Sequence, residues 1–221
     1  MTGMIRKATL LVVLGLVVSS AAMAGIPSAA NCLIPTFVDL VACDGTGALP
    51  PAARYIATIT VRDIANVGCP NLVISLSFCT DVGIYSVIPG GTVVGPVFTK
   101  TAVTDALGQA TVEISGAGWN ASGATVGTNG ANCVTWFASG YELGKSNVAT
   151  YDEDGKTLLT KQGVAGTDLV AFLSDFFDIA TPYKPRSDFD HSTLLGGGDL
   201  SFWLTYFLSI PAYNASCGTL N

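Results

Sequence analysis

The sequence predicts a mostly β chain that closes with a small α module. Three observations carry this expectation. From about residue 34 to 148, short apolar and β-branched runs are punctuated by Gly, Asn, Asp and Pro at roughly 8–15-residue intervals, the texture of a sandwich. No segment of helical period interrupts that region, which argues against a parallel α/β sheet. Beyond about residue 149 the period changes. Leu169, Phe172, Leu173 and Phe176 fall at i, i+3, i+4 and i+7, and Leu200, Trp203, Leu204 and Phe207 repeat that spacing.

Residues 1–24 read as a signal peptide. Arg6 and Lys7 form a positive start, Leu10 to Val18 an apolar stretch, and Ala22-Met23-Ala24 a small-x-small cleavage site before Gly25. No later stretch reaches the roughly 18 apolar residues of a membrane span. The expected product is secreted, at the exterior or surface of a bacterium, with no membrane segment once the signal is removed.

The expected strands run in order through Phe37–Val41, Tyr55–Val61, Leu72–Phe78, Val93–Phe98, Ala110–Ile114, Cys133–Ala138 and Asn147–Thr150. Each is short and rich in β-branched or aromatic residues, as strands are. The Gly-, Ala-, Ser- and Asn-rich stretch 115–132 reads as a long hairpin or loop. Six cysteines, Cys32, Cys43, Cys69, Cys79, Cys133 and Cys217, are an even set in an exported chain and predict about three disulfides. Cys69 cannot reach Cys79 along an extended strand of about 3.3 Å per residue, and Cys32 with Cys43 is disfavoured for the same reason. The other pairings stay open.

Two phrases carry a resemblance. Thr58-Ile59-Thr60-Val61-Arg62-Asp63 ends a strand in an aspartate. Later, Thr104-Asp105-Ala106-Leu107-Gly108-Gln109-Ala110 supplies a hairpin turn in which Asp105 bonds its own backbone and Gly108 takes positive φ. In that order they resemble the bacterial Ig-like, invasin-type repeats. The resemblance implies an Ig-like antiparallel β-sandwich over residues 25–148.

Each helical stripe begins at an aspartate that follows spaced carboxylates. On a twelve-position calcium loop, Asp188 takes position 1, Asp190 position 3, Ser192 position 5, the Leu194 carbonyl position 7 and Asp199 position 12. Thr193 occupies position 6, where glycine is favoured for a positive φ that a β-branched residue resists. Gly196 at position 9 offers no side chain. In the first copy Asp152, Asp154 and Asp168 fit positions 1, 3 and 12, with Lys156 to Gln162 bulging outward as an insertion. The bland alternative makes Asp168 and Asp199 helix N-caps, with or without a metal.

Two loop–helix units in tandem over about residues 149–213, ahead of a C-terminal tail at 214–221, resemble a dockerin-type paired F-hand domain. The resemblance implies calcium at one site or more and docking to a cohesin-like or other surface protein. It places recognition early in each helix, at Val170 and Ala171 and at Ser201 and Phe202.

Other chemistry finds little support. The sole histidine, His191, falls inside a loop of aspartates, so a Ser-His-Asp hydrolase is disfavoured. Acids of the β region lie at strand ends and turns, where glycosidase pairing is not expected. Gly196-Gly197-Gly198 lacks the lysine of a phosphate loop. A net charge of −6 without a basic cluster disfavours nucleic acid. The expectation is therefore a non-enzymatic secreted protein: an Ig-like spacer or adhesion module joined to a calcium-dependent docking module. A polysaccharide-binding sandwich, with Trp119, Trp136 and Trp203 as sugar platforms or as core, is the alternative, and a glycoside-acting enzyme ranks below both.

Overall fold

A computed structural model of the chain describes residues 25–40, 56–80, 82–88, 92–97, 99–114, 117–119, 130–151, 166–178 and 183–209. Its strands are β1 (Phe37–Leu40), β2 (Ile56–Thr60), β3 (Val73–Phe78), β4 (Val82–Ile88), β5 (Thr92–Val97), β6 (Thr99–Val103), β7 (Gln109–Glu113), β8 (Ala117–Trp119), β9 (Val134–Ala138) and β10 (Tyr141–Thr150). Two helices follow, α1 (Gly166–Phe177) and α2 (Gly197–Ser209), with a 3-10 turn at Pro185–Ser187 between them. The molecule is thus mostly β with a small α module, as the sequence predicts. No helix among the described residues is long and apolar enough to cross a membrane.

The strands form a five-stranded sheet in the order β1-β10-β9-β3-β6, a pair β2-β7 and a three-stranded sheet β5-β4-β8. Pairing is antiparallel except between β1 and β10, which run parallel. The period-2 pattern explains the core. Ile74, Leu76 and Phe78 of β3 and Val134, Trp136 and Ala138 of β9 turn one face inward. Ala57 and Ile59 of β2 and Ala110 and Val112 of β7 join the same cluster. The hairpin turn forms as expected: Gly108 has φ +76°, and Asp105 Oδ1 accepts the Leu107 and Gln109 N–H groups at 2.8 and 2.9 Å. A Cβ on Gly108 would sit 2.4 Å from the Val61 carbonyl oxygen, so both conformation and space demand glycine there.

β10 serves two cores. Val148 points into the β cluster, while Ala149 and Tyr151 point into a second cluster with Phe172, Phe189, Trp203 and Tyr206. Alternation along one strand puts neighbouring residues on opposite faces, so a single strand forms a wall of each core. The boundary expected between residues 148 and 149 falls inside this strand. Leu169, Leu173 and Phe176 of α1 and Leu200, Leu204 and Phe207 of α2 pack on the second cluster, so both stripes share one core. Tyr206 is buried too, with the Tyr151 ring tilted against it at 4.2 Å between centroids.

Among the cysteines, Cys79 and Cys133 form a disulfide with Cα atoms 4.9 Å apart. They continue the β3–β9 register beyond Phe78 opposite Val134, which brings their backbones into range. Cys32 and Cys69 carry free thiols, so one of the three expected bridges is present among the described residues. Cys43 and Cys217 lie outside those residues.

Candidate metal centre

Asp188, Asp190 and Asp199 each offer a carboxylate oxygen within 4.8 Å of the others. Local structure brings them together. Pro185 starts the 3-10 turn, where its fixed φ suits the first position, and Asp188 closes that turn by donating its N–H to the Pro185 carbonyl at 3.1 Å. The chain then bends around the Asp188 side chain. Its two oxygens accept the Ser192 and Thr193 N–H groups, each at 3.0 Å. Asp190 Oδ1 accepts the Ser192 N–H at 2.9 Å.

Asp199 lies in the first turn of α2, two residues after the helix start, so it is not the N-cap. Its Oδ2 reaches back to accept the Gly196 N–H at 2.7 Å, the return arm of a capping box, and its Oδ1 accepts the Asp190 N–H at 3.0 Å. It therefore closes the loop onto the helix. Asp168 is likewise the third residue of α1 and fully buried. The N-cap alternative is corrected in both copies: these residues act from inside the first turn, because each helix begins two residues before its aspartate and three before its apolar stripe. Asp152 and Asp154 lie outside the described residues.

Two positions in the loop hold left-handed backbone. His191 has φ +59° and Thr193 φ +68°. Thr193 thus adopts at position 6 the conformation that glycine would supply, and a β-branched residue pays for it with about 1–2 kcal/mol of strain. Thr193→Gly is expected to stabilise the fold by about 1 kcal/mol, strain relief less the added freedom of the unfolded chain, in urea unfolding. Gly198 leaves room for the Asp190 carboxylate. A Cβ there would stand 2.4 Å from Asp190 Oδ2.

The electrostatics are those of carboxylates gathered close together. Burial, and then the charges of Asp190 and Asp188, raise the Asp199 carboxyl above its usual range against the pull of its two backbone donors. Tyr183 donates its hydroxyl to Asp188 Oδ2. Burial, and then this hydrogen bond and the surrounding carboxylates, hold the Tyr183 hydroxyl protonated far above its ordinary range. Tyr183 was not singled out from the sequence; an aromatic five residues before a loop aspartate carries no distinctive spacing.

The residues fit a hard, oxygen-seeking cation. Three carboxylates converge, and carboxylate oxygens are the ligands such a cation takes. Ser192 Oγ donates to the Leu194 carbonyl at 3.0 Å, so the expected position 5 and 7 oxygens lie side by side. The described site contains no thiolate or imidazole ligand, which favours calcium-like over zinc-like chemistry. The expected docking residues are on the surface: Val170, Ser201 and Phe202 are exposed and Ala171 half-buried.

A second polar cluster lies beside the site and was not anticipated. Asp175, on α1, is buried and takes Arg186 in a two-point grip, Nε to Oδ2 at 2.5 Å and Nη2 to Oδ1 at 2.7 Å. Lys184 Nζ donates to Oδ1 at 2.9 Å, and Ser187 Oγ donates to Oδ2 at 2.7 Å. This clamp fastens the connector before Asp188 to α1. Trp136 and Trp203, raised above as sugar platforms, are both fully buried and present no face to a ligand.

No protein-family model, characterised protein or solved structure matches the chain.

Proposed function

We propose that this is an exported, non-enzymatic protein whose C-terminal loop–helix module binds calcium and, so ordered, docks to a protein partner. The observation that supports this reading most is the convergence of Asp188, Asp190 and Asp199 within 4.8 Å, at the sequence positions a calcium loop requires. Three like charges at that distance repel, and a divalent cation removes the repulsion. In this reading the module is dockerin-like. The second turns of α1 and α2 present Val170, Ala171, Ser201 and Phe202 to a cohesin-like or other surface protein, and the β unit is an Ig-like spacer or adhesion module.

The calcium reading predicts a thermal shift. At a free concentration 100 times the dissociation constant, calcium stabilises the full chain by about 2.7 kcal/mol over chelator. Equal unfolding midpoints in calcium and chelator would sink it. Docking is tested separately, by comparing Phe202→Ala with the parent for capture of cohesin-type domains in calcium.

A further inference from the structure

The carboxylate loop is bolted to the β unit by a residue that ligates nothing. His191 lies between Asp190 and Ser192. Its Nε2 is 2.7 Å from Asp39 Oδ1, and its ring stacks on Phe37 at 4.4 Å with 11° between planes. Both partners belong to β1, and Asp39 is fully buried. Among the described residues β1 is an outer strand of its sheet and pairs with β10 alone. On the other side of Asp190, Phe189 is buried and stacks on Tyr151 at 4.5 Å, directly beyond the end of β10.

The loop thus alternates. Asp188 and Asp190 turn their carboxylates toward Asp199, while Phe189 and His191 turn toward the protein body. The left-handed φ of His191 delivers the imidazole to β1. An outer strand is the kind of element that opens locally at low cost. A contact that crosses to it from a separate loop therefore has leverage over it.

We propose that His191 couples the carboxylate loop to the β1–β10 edge, so that ordering the loop stabilises β1. Calcium, if the reading above holds, is the ordering ligand, and the β unit then senses occupancy of the module. The coupling itself rests on contacts present without any ion.

Hydrogen exchange on the full chain tests this, with His191→Ala and with His191→Phe, which keeps a ring over Phe37 but loses the hydrogen bond to Asp39. In chelator, His191→Ala is expected to speed exchange of both β1 and the 188–199 loop by about tenfold, with His191→Phe between it and the parent. In calcium, the parent gains protection in both segments. The Ala variant gains it in the loop alone. Faster exchange in the loop with β1 unchanged, in either variant, would overturn the coupling. If calcium alters no segment of the parent, the metal reading fails, and the comparison in chelator still decides whether His191 links loop and strand.

Discussion

Asp175→Ala is expected to destabilise the chain by about 3–5 kcal/mol, the cost of leaving a buried ion cluster without its anion. Arg186 would lose its two-point grip and Ser187 the Asp175 acceptor, while Lys184 would keep its pairing with Asp178 at 3.0 Å. The effect concentrates where the clamp acts, on the connector that leads into Asp188, so loop order is lost along with stability. Urea unfolding of the variant against the parent measures it, and a change below about 1 kcal/mol would show the cluster to be surface-like.

The same group sets an acid limb. Burial alone would raise the Asp175 carboxyl, but the hydrogen bond and charge of Arg186, with Lys184 and Ser187, outweigh it and hold the group below its usual range. A depressed carboxyl stabilises the fold fully above its unfolded value of about 3.9 and loses that contribution as pH falls through the folded value. Stability of the parent therefore drops below about pH 4, and Asp175→Asn flattens that drop.

Removing the Cys79–Cys133 bridge is the other large effect. The bridge spans a sequence separation of 54, and releasing a loop of that size returns about 4 kcal/mol of chain entropy to the unfolded state. β4 to β8 all lie within the loop, so half of the described strands sit in the segment that the bond closes. The double variant Cys79→Ala/Cys133→Ala avoids leaving a lone thiol and is expected to melt roughly 10 °C lower. An unchanged melting temperature would mean that the register of β3 with β9 holds those segments without the bond.

The legible parts of this fold are those with one buried face. β2, β3 and β9 alternate because each turns a single side to a core, and both helical stripes follow the same logic at helical period. β6, with Thr99-Lys100-Thr101, has no apolar alternation because it is an outer strand. The first half of β10 was missed for a related reason: Tyr141, Glu142 and Lys145 are exposed. β8 lies in the stretch taken as loop, since Ala-Gly-Trp reads as turn composition. β4 is not among the expected strands; it follows Cys79 closely and contains a glycine.

The candidate site divides in the same way. Asp188, Asp190 and Asp199 were legible because calcium-loop spacing is local, and the structure brings them together. Asp175 with Arg186 and Lys184, Tyr183 with Asp188, and His191 with Asp39 are pairings made by tertiary folding. Their residue types have ordinary local explanations, and His191 meets Asp39 across 152 residues. Thr193 was read as an obstacle to the loop; it adopts the required backbone because Asp188 accepts its N–H.

Calcium titration calorimetry on the full chain, beside Asp188→Asn, tests the central claim most directly. The account predicts saturable binding by the parent, weakened at least about tenfold when one carboxylate charge is removed. No binding heat from the parent, or equal binding by both proteins, would contradict it.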